Sequence, residues 1–289
     1  MIKLKTVFIL LAFFWMGCQS GPTKVFENQP QRLKTPKLTQ ADLSSAGAVI
    51  LDARSALDFE SSKVPNSINV QWTDFSQKKH PFTGLLDVDL YRAARRLAQL
   101  GIDPDTEVIV VGNVHSGNGQ EGRLAWTLKY LGINSIKIDS IENYDRPVQN
   151  YAEQSLKPRP IWKPKYNEVY HIDLKDFKRK LKAFAKRESV LVDVRSEAEY
   201  LGKADDHVSK NAPDMGAINI EWKKFLKSDG SIDEGIKDIF NQLGLKTDQE
   251  IVFISNVGVR SALATFVAQE LGYKKARNFA GGYTLILNP

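Results

Sequence analysis

The chain has 289 residues, 42% hydrophobic and 26% charged, with 40 Lys and Arg against 34 Asp and Glu and a net charge of +6 at pH 7. That is enough apolar residue for two cores of ordinary size, and the charges are interspersed, so no nucleic-acid-binding tail and no nucleic-acid partner is expected. The only cysteine is Cys18, which excludes an intramolecular disulfide and leaves burial to supply stability.

The first predicted element is an export signal, Met1 to Cys18. Lys3 and Lys5 charge its start, Val7 to Met16 is an uncharged apolar run of ten residues, and Gly17-Cys18 closes it. Ten residues fall short of the roughly 20 a spanning helix needs, and a charged start before a short apolar run is a signal peptide. A small residue followed by Cys resembles the bacterial lipobox, at which the signal is cut and Cys18 acylated; Trp15 departs from the Leu usual there. The other reading is an ordinary secretory signal beside a chance cysteine. The position of the one cysteine favours lipidation, and several acyl chains on one residue anchor a protein where a single chain does not. Gln19 follows the cysteine, and by resemblance to enterobacterial lipoproteins this points to the outer membrane, facing the periplasm. The sequence thus reads as a bacterial cell-envelope lipoprotein held to the membrane by a lipid anchor, with a net charge of +4 once Lys3 and Lys5 are removed.

Residues 19–40 carry Pro22, Pro30 and Pro36 among polar residues and read as a tether. Two domains follow, at 41–146 and 165–289, with a proline-rich linker at 147–164. The halves repeat each other. Val49-Ile50-Leu51-Asp52-Ala53-Arg54-Ser55 matches Val190-Leu191-Val192-Asp193-Val194-Arg195-Ser196, Ser67-Ile68-Asn69 matches Ala217-Ile218-Asn219, and Glu107 to Val111 matches Glu250 to Ile254. A repeat of this length is a duplicated domain. The apolar runs at 48–51, 107–111, 189–192 and 250–254 lack alternation and predict strands buried on both faces of a parallel sheet. Leu90, Ala93, Leu97 and Leu100, then Leu124, Leu128 and Leu131, then Leu174, Phe177, Leu181 and Phe184, keep helical spacing. The fold class is therefore α/β, two tandem domains each with a mostly parallel sheet and helices on both faces. Asp-x-Arg at the first strand of each half reads as a structural ion pair.

The chemically suggestive segment follows the strand at 250–254. Ser255-Asn256-Val257-Gly258-Val259-Arg260-Ser261 leads into a helix carrying Leu263, Phe266, Val267 and Leu271. A tight turn into a helix N-terminus converges backbone N–H groups, Gly258 permits a positive φ, and Arg260 adds charge, which together make an anion nest. This string resembles the rhodanese active-site loop Cys-x-x-Gly-x-Arg-Ser, with Ser255 at the cysteine position. Val192-Asp193-Val194-Arg195-Ser196-x-x-Glu199-Tyr200, Gly281-Gly282-Tyr283 and, in the first half, Gly122-Arg123-Leu124-Ala125-Trp126 extend the likeness to tandem sulfurtransferases.

The resemblance implies a fold of two rhodanese-like domains, and an activity in which a cysteine takes sulfane sulfur from thiosulfate or 3-mercaptopyruvate and passes it on. A serine cannot do so: its hydroxyl is a weak nucleophile without a base, and oxygen forms no working persulfide equivalent. The first-half loop, Gly112 to Arg123, also lacks Cys. The expectation is therefore no catalytic residue, with Ser255 at the nucleophile position, and a loop of Ser255, Asn256, Val257, Gly258, Val259, Arg260 and Ser261 that holds a small oxyanion (thiosulfate, sulfate or phosphate), serves an envelope protein partner, or is a retained fold element alone. A working sulfurtransferase is the alternative, and phosphoester hydrolysis on a related loop ranks last. No nucleotide-binding pattern or metal-ligand spacing stands out, so neither cofactor nor metal is expected, and His115 reads as an exposed loop residue. Only seven residues follow Gly282, leaving little room for the closing helix many relatives carry.

Overall fold

The computed structural model describes residues 47–144 and 157–288. The first domain runs β1 (Val49–Asp52), α1 (Ala56–Ser61), β2 (Ser67–Asn69), α2 (Leu90–Gln99), β3 (Glu107–Gly112), α3 (Gln120–Leu131) and β4 (Ser135–Ser140). The second runs α4 (Leu174–Ala185), β5 (Val190–Asp193), α5 (Glu197–Tyr200), α6 (His207–Asn211), β6 (Ile218–Asn219), α7 (Ile236–Gln242), β7 (Ile251–Ile254), α8 (Val259–Glu270), β8 (Ala276–Asn278) and α9 (Gly282–Leu287). The sheets have orders β2-β1-β3-β4 and β6-β5-β7-β8. Every pairing within them is parallel.

The unalternated strands are explained by their surroundings. In β5, Val190 and Val192 face one apolar cluster while Leu191 faces another, and in β7 Ile251 and Phe253 oppose Val252 and Ile254 in the same way. Phe177 and Phe184 of α4 cover one face of that sheet, and Phe240 of α7 and Phe266 of α8 cover the other. The larger cluster continues through Leu263 of α8 to Leu124 and Leu128 of α3 and into the first sheet. A Cβ on Gly122 would lie 2.3 Å from that of Leu263, so glycine is what lets α3 and α8 approach. Both helices are buried almost all round, as helices between two sheets must be.

Register makes the duplication residue-specific. Asp52 pairs with Val111 across β1 and β3, and Asp193 pairs with Ile254 across β5 and β7. Both Asp-x-Arg motifs form buried ion pairs of 2.7 Å, Arg54 Nη2 to Asp52 Oδ2 and Arg195 Nη2 to Asp193 Oδ2. The repeated asparagines do the same work in each copy: Asn69 Nδ2 donates to the Asp52 and Arg54 carbonyls, and Asn219 Nδ2 to those of Asp193 and Arg195.

Residues 145–156, which include the first ten of the expected linker at 147–164, lie outside the described residues. The rest packs on the first domain, where Arg159 N donates to Ala98 O and Trp162 Nε1 to Ile102 O. One expectation needs correcting: the few residues after Gly281 do form a closing helix, α9. It has six residues, with Tyr283 and Leu285 buried in the second core.

Candidate functional site

The site is built where β7 ends. Four residues, 255–258, connect Ile254 to Val259 at the carboxyl end of the central strand. Gly258 caps α8 with φ +71, and a Cβ there would lie 2.1 Å from the Ala280 carbonyl oxygen. Glycine is thus required twice over, for the left-handed backbone and for the close approach. On the opposite side Gly282, φ +58, lies against the carbonyls of Ser255 and Asn256.

The loop's carbonyls are committed away from its interior. Ser255 O accepts from Tyr283 N at 3.0 Å and Asn256 O from Thr284 N at 2.9 Å, both at the start of α9. Gly258 O accepts from Asn278 Nδ2 and Arg123 Nη1, each at 3.2 Å. The N–H groups of Asn256, Val257 and Gly258 donate to no acceptor among the described residues. With the carbonyls tied down on one side, these three amides at the N-terminus of α8 are left as the loop's unpaired donors.

Ser255 is buried, at 1% exposure. Its Oγ lies 3.1 Å from Ser261 Oγ and 3.4 Å from Ser261 N, while Ser261 Oγ donates to Asn278 Oδ1 at 2.7 Å. A hydroxyl carries one proton. Ser261 gives its proton to Asn278, so the contact between the two serines uses the proton of Ser255. That proton therefore points into a closed chain of hydroxyl and amide, with no imidazole or carboxylate bonded to it among the described residues. Nothing in this arrangement activates the oxygen as a nucleophile.

Arg260, the cation of the loop, is held by Glu199. Its Nη1 and Nη2 reach the two carboxylate oxygens at 2.6 and 2.8 Å. Glu199 also accepts from Ser196 N and from Asn256 Nδ2, so α5 is stapled to the loop. Burial alone would raise the Glu199 carboxyl, but the Arg260 guanidinium and the Ser196 donors outweigh it and hold it at about 2. The charge of Arg260 is thus balanced in place, and the backbone amides are the uncommitted donors. Val259 and Ser261 are buried in the first turn of α8, and Asn256 and Val257 are half-buried at the mouth.

Several residues of this site lie in the other half of the chain. The 3-10 turn Phe82–Gly84 of the first domain leans on the loop, where a Cβ on Gly84 would meet Val257 O at 2.4 Å. Arg123, fully buried, links Gly84 O at 2.7 Å to Gly258 O and stacks over Trp126 at 4.6 Å; burial lowers it to about 9. Sequence reasoning quoted Arg123 and Glu199 only as parts of family strings, and Gly84 and Asn278 carried no signal at all. His115 is exposed, as expected, with Nε2 2.8 Å from Leu226 O. Cys18 lies outside the described residues, among which no helix is long and apolar enough to cross a membrane.

A four-stranded parallel sheet whose central strand turns through a loop into a buried helix, present twice in one chain, is the tandem rhodanese architecture. The model of the Rhodanese-like domain family matches residues 35–146 and 174–288, and the chain belongs to that family, among the tandem rhodanese-like sulfurtransferases. It is 28% identical over 212 residues to a putative thiosulfate sulfurtransferase of Mycolicibacterium smegmatis, covering 68% of this chain and 74% of the relative. It is also 28% identical to the sulfur carrier protein TtuD of Thermus thermophilus, covering 66% and 71%. Among solved structures it resembles SseA from Escherichia coli, a 3-mercaptopyruvate sulfurtransferase, with TM-score 0.66, 18% identity and coverage of 86% and 99%. Tum1 of Saccharomyces cerevisiae aligns with TM-score 0.69, 15% identity and coverage of 88% and 95%.

Proposed function

We propose that this chain is an envelope lipoprotein, anchored through Cys18 in the outer membrane and facing the periplasm, whose rhodanese-like body does not transfer sulfur. Its second-domain loop, Ser255 to Ser261, instead holds a small oxyanion such as thiosulfate, sulfate or phosphate on backbone amides. The observation that carries this reading is the hydroxyl of Ser255, which the loop's resemblance aligns with the family's cysteine: it spends its proton on Ser261 and has no base bonded to it among the described residues. The donors of Asn256, Val257 and Gly258 support the anion half, since charge-assisted hydrogen bonds from fixed amides favour an oxyanion without any side-chain charge. A loop so arranged also offers a surface for an envelope protein partner.

Working sulfur transfer is the second reading, favoured by the names of the relatives, thiosulfate sulfurtransferases among them. It needs a thiol, and the only one in the chain is Cys18.

Thiosulfate:cyanide transfer by the detergent-solubilised chain separates the two. Wild type is expected at the blank rate and Ser255→Cys above it. Turnover by wild type, or a 32 Da sulfur adduct on it discharged by cyanide, overturns the proposal. For the anion, a saturable rise in melting temperature with thiosulfate, sulfate or phosphate over chloride at matched ionic strength is expected; equal melting in all four salts removes that half of the reading.

A further inference from the structure

The charge of this protein is concentrated on one helix. Residues 174–187, α4 with its cap Lys186 and the next residue, contain seven Lys and Arg (Lys175, Lys178, Arg179, Lys180, Lys182, Lys186, Arg187) and one acid, Asp176. The segment nets 7 − 1 = +6, equal to the net charge of the whole chain; the remainder balances, with 40 − 7 = 33 cations against 34 − 1 = 33 anions.

Helical geometry gathers most of these cations on one side. At about 100° per residue, Lys175, Lys178, Arg179, Lys182 and Lys186 fall within an arc of about 100° centred opposite Phe177 and Phe184. Those two phenylalanines are buried against the second sheet, so the cationic arc faces outward, and all five of its residues are exposed. Arg179 has an acid, Asp176. Lys175, Lys178, Lys182 and Lys186 have none among the described residues, whereas Lys180, off the arc, is drawn to Glu250. Like charges at three- and four-residue spacing oppose helix formation, so the stripe is held by the packing behind it and is relieved by an external anion. Leu181 lies beside the arc, 37% exposed.

We propose that this face of α4 docks on a bilayer containing anionic phospholipid. The stripe is a convex ridge rather than a pocket, and it is made mostly of lysines, whose mobile point charges suit many diffuse headgroup phosphates better than one bidentate ligand. The anchor favours the same occupant: a lipid on Cys18 keeps the body within a short tether of the membrane and raises the local concentration of headgroups. The inference rests on the anchoring reading above for that proximity alone.

The test uses the full chain reconstituted with vesicles of phosphatidylcholine, or of phosphatidylcholine containing phosphatidylglycerol, and labelled with a water-soluble amine-acylating reagent. Mass spectrometry then reads Lys175, Lys178, Lys182 and Lys186 against Lys203 and Lys246, which are exposed elsewhere. The expected result is a several-fold fall in stripe labelling on phosphatidylglycerol at low salt, reversed by high salt, with the controls unchanged. Equal stripe labelling on the two vesicle types overturns the inference. So does protection by dissolved polyanions, DNA or an acidic polypeptide, without protection by phosphatidylglycerol. The fourfold Lys→Glu variant at these exposed positions is expected to lose the difference between vesicle types; keeping it sinks the assignment to α4. Flotation with pure phosphatidylcholine reports the anchor alone, so failure of the anchoring reading and failure of this one are seen separately.

Discussion

The two halves of the molecule end their central strands in opposite ways. Strand register makes Gly112 the counterpart of Ser255, since Val111 and Ile254 face the equivalent residues Asp52 and Asp193. In the second domain a four-residue loop leads to α8, and the strand-end side chain is a hydroxyl bonded to Ser261. In the first domain the loop has seven residues, 113–119, and the strand end has no side chain. The carboxylate of Glu121 lies there instead: a Cβ on Gly112 would come 2.5 Å from Glu121 Oε2. One copy keeps amides that have no acceptor among the described residues, and the other has placed an acid of its own chain at the corresponding spot. Duplication preserved the scaffold, and the divergence is confined to what fills the end of the central strand.

The largest predicted effect contrasts the two glycines that cap α3 and α8. Both have left-handed φ, +77 at Gly119 and +71 at Gly258. At Gly119 a methyl group meets nothing nearer than Leu263 Cδ1 at 3.5 Å, so Gly119→Ala carries only the backbone strain, about 1 kcal/mol. At Gly258 the same methyl would sit 2.1 Å from a backbone carbonyl that cannot move without displacing the turn into α9. Gly258→Ala is expected to cost more than about 4 kcal/mol, as overpacking and strain combine. Urea unfolding of both variants checks this, and equal costs would mean that the second loop is no more constrained than the first.

Much of this scaffold was legible beforehand because it is written in local patterns. Doubly buried strands read as unbroken apolar runs, α2 and α4 show their periodicity, and a glycine before a helix marks a cap. The Asp-x-Arg pairs were legible for the same reason, as both partners lie two residues apart at a strand end. What stayed hidden depends on contacts between distant segments. Glu121 reads as an ordinary first-turn acid until α3 is packed under β3, and Arg123 reads as one cation among forty until Gly84 and Gly258 converge on it. The neutralisation of Arg260 by Glu199 needed α5 to be placed beside the loop, and the closing helix needed the space between Ser255 and the second core.

The buried acid of the first domain makes a pH-dependent prediction. Neither oxygen of Glu121 has a partner among the described residues, and burial pushes its carboxyl up to about 7 from an ordinary 4.5. A carboxyl raised by folding leaves stability intact below about 4.5, where both states hold the proton, and erodes it as pH rises towards 7. The shift corresponds to about 3 kcal/mol. Glu121→Gln cannot ionise, so its stability relative to wild type is expected to climb by that amount between pH 4.5 and pH 8. Thermal melts across the range test it, and parallel curves for the two proteins would place the carboxylate in a solvated or paired position.

The acid of the second loop is predicted to behave with the opposite sign and a smaller amplitude. Glu199, held at about 2 by Arg260 and Ser196 against its burial, stabilises the native state above about 4.5 and loses that contribution as pH falls towards 2. Its side chain is 16% exposed, and solvent screening reduces the full shift to about 2 kcal/mol. The counterpart in the first domain, Asp58, accepts from Ser55 Oγ through Oδ2 while its own N–H donates to that hydroxyl, and it pairs with no cation among the described residues. Glu199→Gln should therefore cost about 2 kcal/mol at neutral pH and little near pH 2.5, while Asp58→Asn, which keeps the backbone cap to Ser55 and loses only a first-turn negative charge, should cost under about 1 kcal/mol at neutral pH. If Glu199→Gln is as mild as Asp58→Asn, Arg260 is not bound to its carboxylate in solution, and the guanidinium is then a free cation at the mouth of the loop.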